Sequence, residues 1–243
     1  MSHNDLFDPR TVPAHVVSPP GVRRVNEIIG RLRSRRLDRI EIQEPVSGFR
    51  VSNLIRAYSQ AHLRRSLMFI AAAHHHIYSD SGLVALTAVR CVFETVANFL
   101  DFESKLQALL SKGDLQEIHD FVKARTFATR LEDLITMAGT PDVQATNILT
   151  QIEKMKSVWP SAREDYDYLC EHTHPNAFGG LLYFAQHDLS ADVVAFSDRG
   201  PAPEDDLKWT LVAGHILGYL DEALDRVENA LPALSAKGGA ERH

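Results

Sequence analysis

Apolar residues recur at helical spacing along most of this chain. Val22, Val25, Ile28, Ile29 and Leu32 mark one face of a short helix whose other face is arginine-rich. Residues 52–78 place Leu54, Tyr58, His62, Leu63, Leu67 and Ile70 on one side, and Ser79, Asp80, Ser81 and Gly82 stop the helix. Residues 83–110 are apolar almost all round, the pattern of a helix at the centre of a bundle. Residues 115–138 and 141–159 predict two further helices joined at Gly139 and Thr140, with Pro141 in a first turn. Ser161 and Glu164 have capping-box spacing, and the helix they open closes at His172 or His174, ahead of Pro175. A last helix covers residues 203–231, entered through Glu204, Asp205 and Asp206, whose charges suit a helix N-terminus.

Residues 177–200 break this rhythm. Two short apolar runs flank the polar turn 186–190, which fits a β-hairpin or a folded loop. The predicted fold is therefore all-α: an up-and-down bundle of five or six long helices with a small hairpin or loop insertion near 177–200. Residues 1–20, rich in Pro, His and Asp, read as an extended arm. Residues 21–48 read as an arginine-rich helix and connector, 49–232 as the bundle, and 233–243 as a flexible tail.

Polar residues on the central helix change the picture. Thr87, Arg90, Glu94, Asn98 and Asp101 follow at steps of three, four, four and three, which aligns them on one face. Their neighbours are Leu, Val, Ala, Cys and Phe. A buried charge without a partner is very costly, so Arg90 and Glu94 must pair, reach water or hold a ligand. A second polar group lies at Tyr168, Cys170, His172, His174 and Asn176, where the pairs Tyr168/His172 and Cys170/His174 are four apart. A third is the triplet His74, His75 and His76, which reads as a solvated helix end. Arg90, Glu94, His172 and His174 are the candidate catalytic residues. Thr87, Asn98, Tyr168 and Asn176 are the candidate ligand contacts. Bracing of the bundle by a buried polar network is the competing reading. Glu94, Cys170, His174 and His75 include metal-ligand types, but no spacing is diagnostic, and neither a metal nor a cofactor is assigned. Cys170 beside His174 offers a nucleophile pair with no third orienting residue.

Arg90 and Glu94, followed by Tyr168-Leu-Cys170 and His174-Pro175-Asn176, resemble a group of uncharacterised bacterial helical domains of the HEPN (higher eukaryotes and prokaryotes nucleotide-binding) type. The resemblance covers roughly residues 52–231. It implies a helical bundle and, for several HEPN families, RNase activity in a dimer through an Arg and a His four to six residues apart on one helix; a homodimer is expected here because the last helix and the arginine helix offer amphipathic faces. Only Arg10/His15 and Arg56/His62 have that spacing, about as many as chance supplies.

Composition adds bounds. The net charge of −6 combines a basic stretch, Arg23 to Arg39, with an acidic remainder. That stretch fits nucleic acid or an acidic partner, or docks on the acidic body of its own chain; no aromatic residues interleave it. Two cysteines make no disulfide framework, and residues 1–8 lack the pattern of a secretory signal. Arg90 and Glu94 interrupt the most apolar segment, so a cytoplasmic protein without membrane contact is expected. There is no Gly-rich phosphate loop, paired CxxC, HExxH or GxSxG motif. Two functions stay open: a helical ligand-binding or interaction module, of the kind used in bacterial stress or defence, and a HEPN-type nuclease or nucleotide-processing enzyme.

Overall fold

A computed structural model describes residues 5–42, 47–188, 190–198 and 200–236. The expected tail beyond residue 236, the first four residues of the arm and residues 43–46 of the connector lie outside them. Nine α-helices are described: α1 (Pro19–Ser34), α2 (Gly48–Ile77), α3 (Gly82–Lys112), α4 (Leu115–Thr126), α5 (Glu132–Ala138), α6 (Ile148–Met155), α7 (Ala162–Thr173), α8 (Leu181–Phe184) and α9 (Pro203–Ala236). The strands β1 (Ala185–Asp188) and β2 (Val193–Phe196) pair antiparallel as the hairpin inserted between α8 and α9. The protein is an all-α bundle.

Its frame is α2, α3 and α9, packed on one another, with α1 laid on α9. Phe93, Phe99, Phe102 and Leu106 of α3 are fully buried, which explains why that helix is apolar nearly all round. By length and composition α3 could cross a membrane; in the fold it is enclosed by α2, α6, α7 and α9. Gly214 of α9 lets α1 approach closely, since a Cβ there would lie 2.4 Å from Val25 Cγ1. Two arginines at the end of α1 reach α9: Arg31 and Arg35 both pair with Asp221, and Arg35 also reaches Asp225. α9 runs on through Pro232, beyond the expected end, with Leu231 and Leu234 buried on either side of the proline.

Four expectations are corrected. The leader is not an extended arm: Phe7 is fully buried, its N–H and C=O both bonded to the side chain of Asn26 on α1. The helix expected over 115–138 breaks after Thr126, and the one over 141–159 is reduced to a single 3₁₀ turn at Pro141–Val143 followed by α6. Between the breaks Thr129 pairs with residues 143–145, donating to Val143 O and accepting from Ala145 N. That long-range pairing outweighs helix propensity, which is a weak local preference. The Ser161–Glu164 capping box does not form; Ser161 instead donates to Asp165.

α9 enters the bundle with a buried acid. Asp206 sits against Gly82 and accepts from Tyr183 Oη at 3.3 Å. Burial raises its pKa to about 6. An acid with a raised folded pKa gains stability for the fold as pH drops from above 6 toward 3.8, and is a liability above that window. Asp206→Asn is therefore expected to be more stable than the wild type by about 2 kcal/mol at pH 7.5, with the gap vanishing by pH 4. Paired urea titrations across that range measure it; a gap independent of pH would refute the assignment.

Candidate functional site

The polar stripe of α3 resolves into separate connections. Thr87 is exposed and only caps Leu83 O. Arg90 Nε donates to Glu94 Oε1 at 3.1 Å, and its Nη1 reaches Thr173 Oγ1 of α7 at 3.1 Å. Glu94 also accepts from Tyr166 Oη at 2.8 Å. Burial opposes the charge on Arg90, but the bond to Glu94 outweighs it and its pKa is raised. Tyr166, Cys170 and Thr173 thus form the face of α7 that meets α3.

The other face of α7 carries Tyr168 and His172. Their rings stack at 3.9 Å between centroids, Tyr168 stacks in turn on Trp209 of α9, and His172 meets Phe178. His172 Nδ1 lies 2.8 Å from Tyr168 O. His174 is exposed at the end of the helix and meets Cys170 only through the backbone. Asn176 shapes the following turn by accepting from Gly179 N. The four candidate catalytic residues are therefore divided: Arg90 and Glu94 bond one face of α7, whereas His172 packs on the other and His174 stands at its end. Burial pushes the Cys170 thiol up, away from the thiolate a nucleophile needs. Among the described residues no three of His, Cys, Asp and Glu gather as a metal site.

The spacing that suggested an RNase pair behaves the same way. Arg56 turns to Glu228 and Asn53, while His62 points elsewhere; Arg10 pairs with Asp8, and His15 with Glu204.

A cavity of about 850 Å³ opens where Glu94 and Asn98 face α2. Its α2 wall is Leu54, Ala57, Tyr58, Ala61, His62 and Arg65, a face at steps of three and four. His119, Lys123 and Arg125 of α4 stand across from it, and Phe127, Ala128, Ala145 and Thr146 close the side. The two helix breaks are thus what build the fourth wall.

Asn98 holds the floor. Its Oδ1 lies 2.8 Å from Tyr58 Oη and 3.0 Å from His62 Nε2, and its Nδ2 lies 3.2 Å from Gln151 Oε1 on α6. His62 Nδ1 is 3.1 Å from Tyr58 O, a carbonyl that only accepts. Burial lowers the His62 pKa and keeps the ring neutral, so it donates once, through Nδ1, and accepts at Nε2. The Asn98 amide must then present its nitrogen to His62; a half-turn of an amide exchanges the two ends at no cost in shape. The same half-turn of Gln151 gives its Nε2, otherwise buried without a partner, the oxygen of Asn98 to donate to. Burial also raises the Tyr58 pKa to about 12, so the floor is polar and uncharged.

Asp101 anchors the back of the cavity. Its carboxylate, 2% exposed, takes Lys105 Nζ at 2.9 Å, Lys154 Nζ of α6 at 2.6 Å, and a terminal nitrogen of Arg125. Arg125 passes the constraint on by donating to Thr146 Oγ1. Burial would raise the Asp101 pKa, but the three cations outweigh it and hold it low.

Tyr58, His62, Arg65, Lys123, Arg125 and Gln151 were not among the expected site residues. Tyr58 and His62 carried a signal, as two polar groups four apart on an otherwise apolar face. Arg65, three residues beyond His62, continues that face, whereas Lys123, Arg125 and Gln151 come from distant segments and left no signal. Comparison of the chain with protein-family models, with curated proteins and with solved structures gives no match.

Two measurements test this geometry. In ¹⁵N spectra of the imidazoles, His62 should be the neutral Nδ1–H tautomer at pH 7 and titrate below 6.5; an Nε2–H tautomer would reverse the amide assignment. Asp101→Asn should lose about 3 kcal/mol in urea unfolding, because three cations are left without their acceptor. That contribution exists above the unfolded pKa, so the gap to wild type should hold from pH 8 to 5 and close as pH falls below 3.8.

Proposed function

We propose that this protein is a binding module for a small molecule held in the cavity between α2, α3 and α4. The observation that carries the reading is the open-mouthed cavity of about 850 Å³ over a floor of neutral hydrogen-bonding groups, Tyr58, His62 and Asn98. Ligand sites are commonly concave spaces of that size, mostly apolar, with a few placed polar groups. Leu54, Ala57, Ala61, Phe127 and Ile148 supply the apolar part.

A nuclease built on Arg90, Glu94, His172 and His174 would need all four around one phosphate. Their contacts go to different sides of α7, so the binding reading is favoured. The catalytic use of a histidine also asks for a group that exchanges protons near neutral pH, and His62, the histidine on the cavity floor, is held neutral by burial.

Filling the space tests the proposal. Ala57 is half-buried on the cavity wall, and Ala57→Trp places an indole inside it. The wild type should bind the neutral dye Nile red at one site with saturable fluorescence. The variant should bind at least about tenfold more weakly while unfolding at the same temperature. Equal binding by both proteins, or none by the wild type, would remove the reading.

A further inference from the structure

Resting on that binding reading, we infer that the occupant is an amphipathic organic anion, with an acidic head at the rim and an apolar body over the floor.

Charge at the cavity decides this. Among the described residues Arg50, Arg65, Lys123 and Arg125 line it with one carboxylate, Glu94. Glu94 is already engaged by Arg90 and Tyr166, and Arg125 by Asp101. Arg65 and Lys123 are different. Arg65 spends only Nε, on Thr95 Oγ1 at 3.0 Å, and lies over the Phe69 ring at 4.6 Å. Its two terminal nitrogens, and Lys123 Nζ, have no partner among the described residues. Both side chains are exposed, on α2 and α4, the two helices that frame the opening. The Thr95 bond and the Phe69 ring hold the guanidinium in place, so it is presented rather than trailing in solvent. An arginine so fixed, with its fork unused, matches a carboxylate or phosphate oxygen pair.

The interior sets the rest of the molecule. The floor is uncharged, so a second full charge buried there would lack a counter-ion. Leu54, Ala57, Ala61 and Ile148 offer an aliphatic or planar body its surface, and the floor offers one or two hydrogen bonds. A cationic ligand would meet Arg65 and Lys123 at the entrance and be repelled.

Four probes sharing one eight-carbon tail separate charge from shape: octanoate, octyl phosphate, octanol and octylammonium, each titrated by calorimetry at low salt. Both anions should bind about tenfold more tightly than octanol, with octylammonium weakest. In the double variant Arg65→Gln/Lys123→Gln the preference for anions should fall to within about twofold, while octanol binding stays as it was. Lys112→Gln, whose lysine pairs with Glu117 outside the cavity, should keep it. The preference should also weaken as salt rises, since these cations are exposed. Octanoate and octyl phosphate differing from each other would identify the head group. Anions binding no better than octanol, or an anion preference that survives the double variant, overturns the inference. Nile red distinguishes the two levels: dye binding without an anion preference defeats the ligand class and leaves the cavity reading standing, whereas loss of all binding defeats both.

Discussion

The constraint on which this architecture rests is the burial of the Asp101 carboxylate in the middle of a helix made for an apolar core. A lone carboxylate there would cost several kcal/mol. The chain meets that cost with cations from α4 and α6 as well as from α3 itself. The geometry of the answer matters more than its energy. An ion pair in the interior is satisfied only in one arrangement, so Lys154 and Arg125 fix where α6 and α4 stand. Because Arg125 also bonds Thr146, the non-helical segment between α5 and α6 is tied to the same point. The cavity wall inherits its position from one buried charge.

The other polar residues of α3 extend the same logic. The frame of α1, α2, α3 and α9 is held chiefly by apolar packing, with ion pairs such as Arg31–Asp221 and Arg226–Glu103 at its edges. α4, α6 and α7 have 12, 8 and 12 residues, too short to be stable helices alone. Each is fastened to α3 at a polar position: α7 through Arg90 and Glu94, α6 through Asn98 and Asp101, α4 through Asp101. The stripe is a rail of specific attachments along an otherwise nonspecific surface. It therefore cannot be divided into a structural part and a functional part; Glu94 and Asn98 clamp short helices with some atoms and face the cavity with others.

This explains what was legible beforehand. Periodicity located α1, α2, α3, α7 and α9, because each buries a continuous face against the frame. It ran α4 into α5 and the 3₁₀ turn into α6, because residues 127–131 contain no glycine or proline and their departure from helix is imposed by Thr129 pairing with residues 143–145, a contact no local window contains. The cavity sits where those breaks are, so its existence was hidden by the same error. The stripe was visible in the spacing, since a charge among Leu, Val and Phe is anomalous wherever it lies. Its partners were not, because Tyr166, Thr173, Arg125 and Lys154 are ordinary surface residues until the fold brings them in. The shared face of Tyr168 and His172 was legible from their spacing of four, but the ring it stacks on, Trp209, comes from α9 and was not.

The protonation states of the buried groups bear on what such a cavity does. Burial holds His62 neutral, pushes Tyr58 to about 12, and raises the thiols of Cys91 and Cys170. All four are moved away from the pKa near 7 that proton transfer or thiolate attack would exploit. Arg65 and Lys123 stand exposed at the opening and act there by attraction. A floor of neutral hydrogen-bonding groups beneath a positively charged rim is an arrangement that recognises a molecule by shape, by a few hydrogen bonds and by the charge of its outer end.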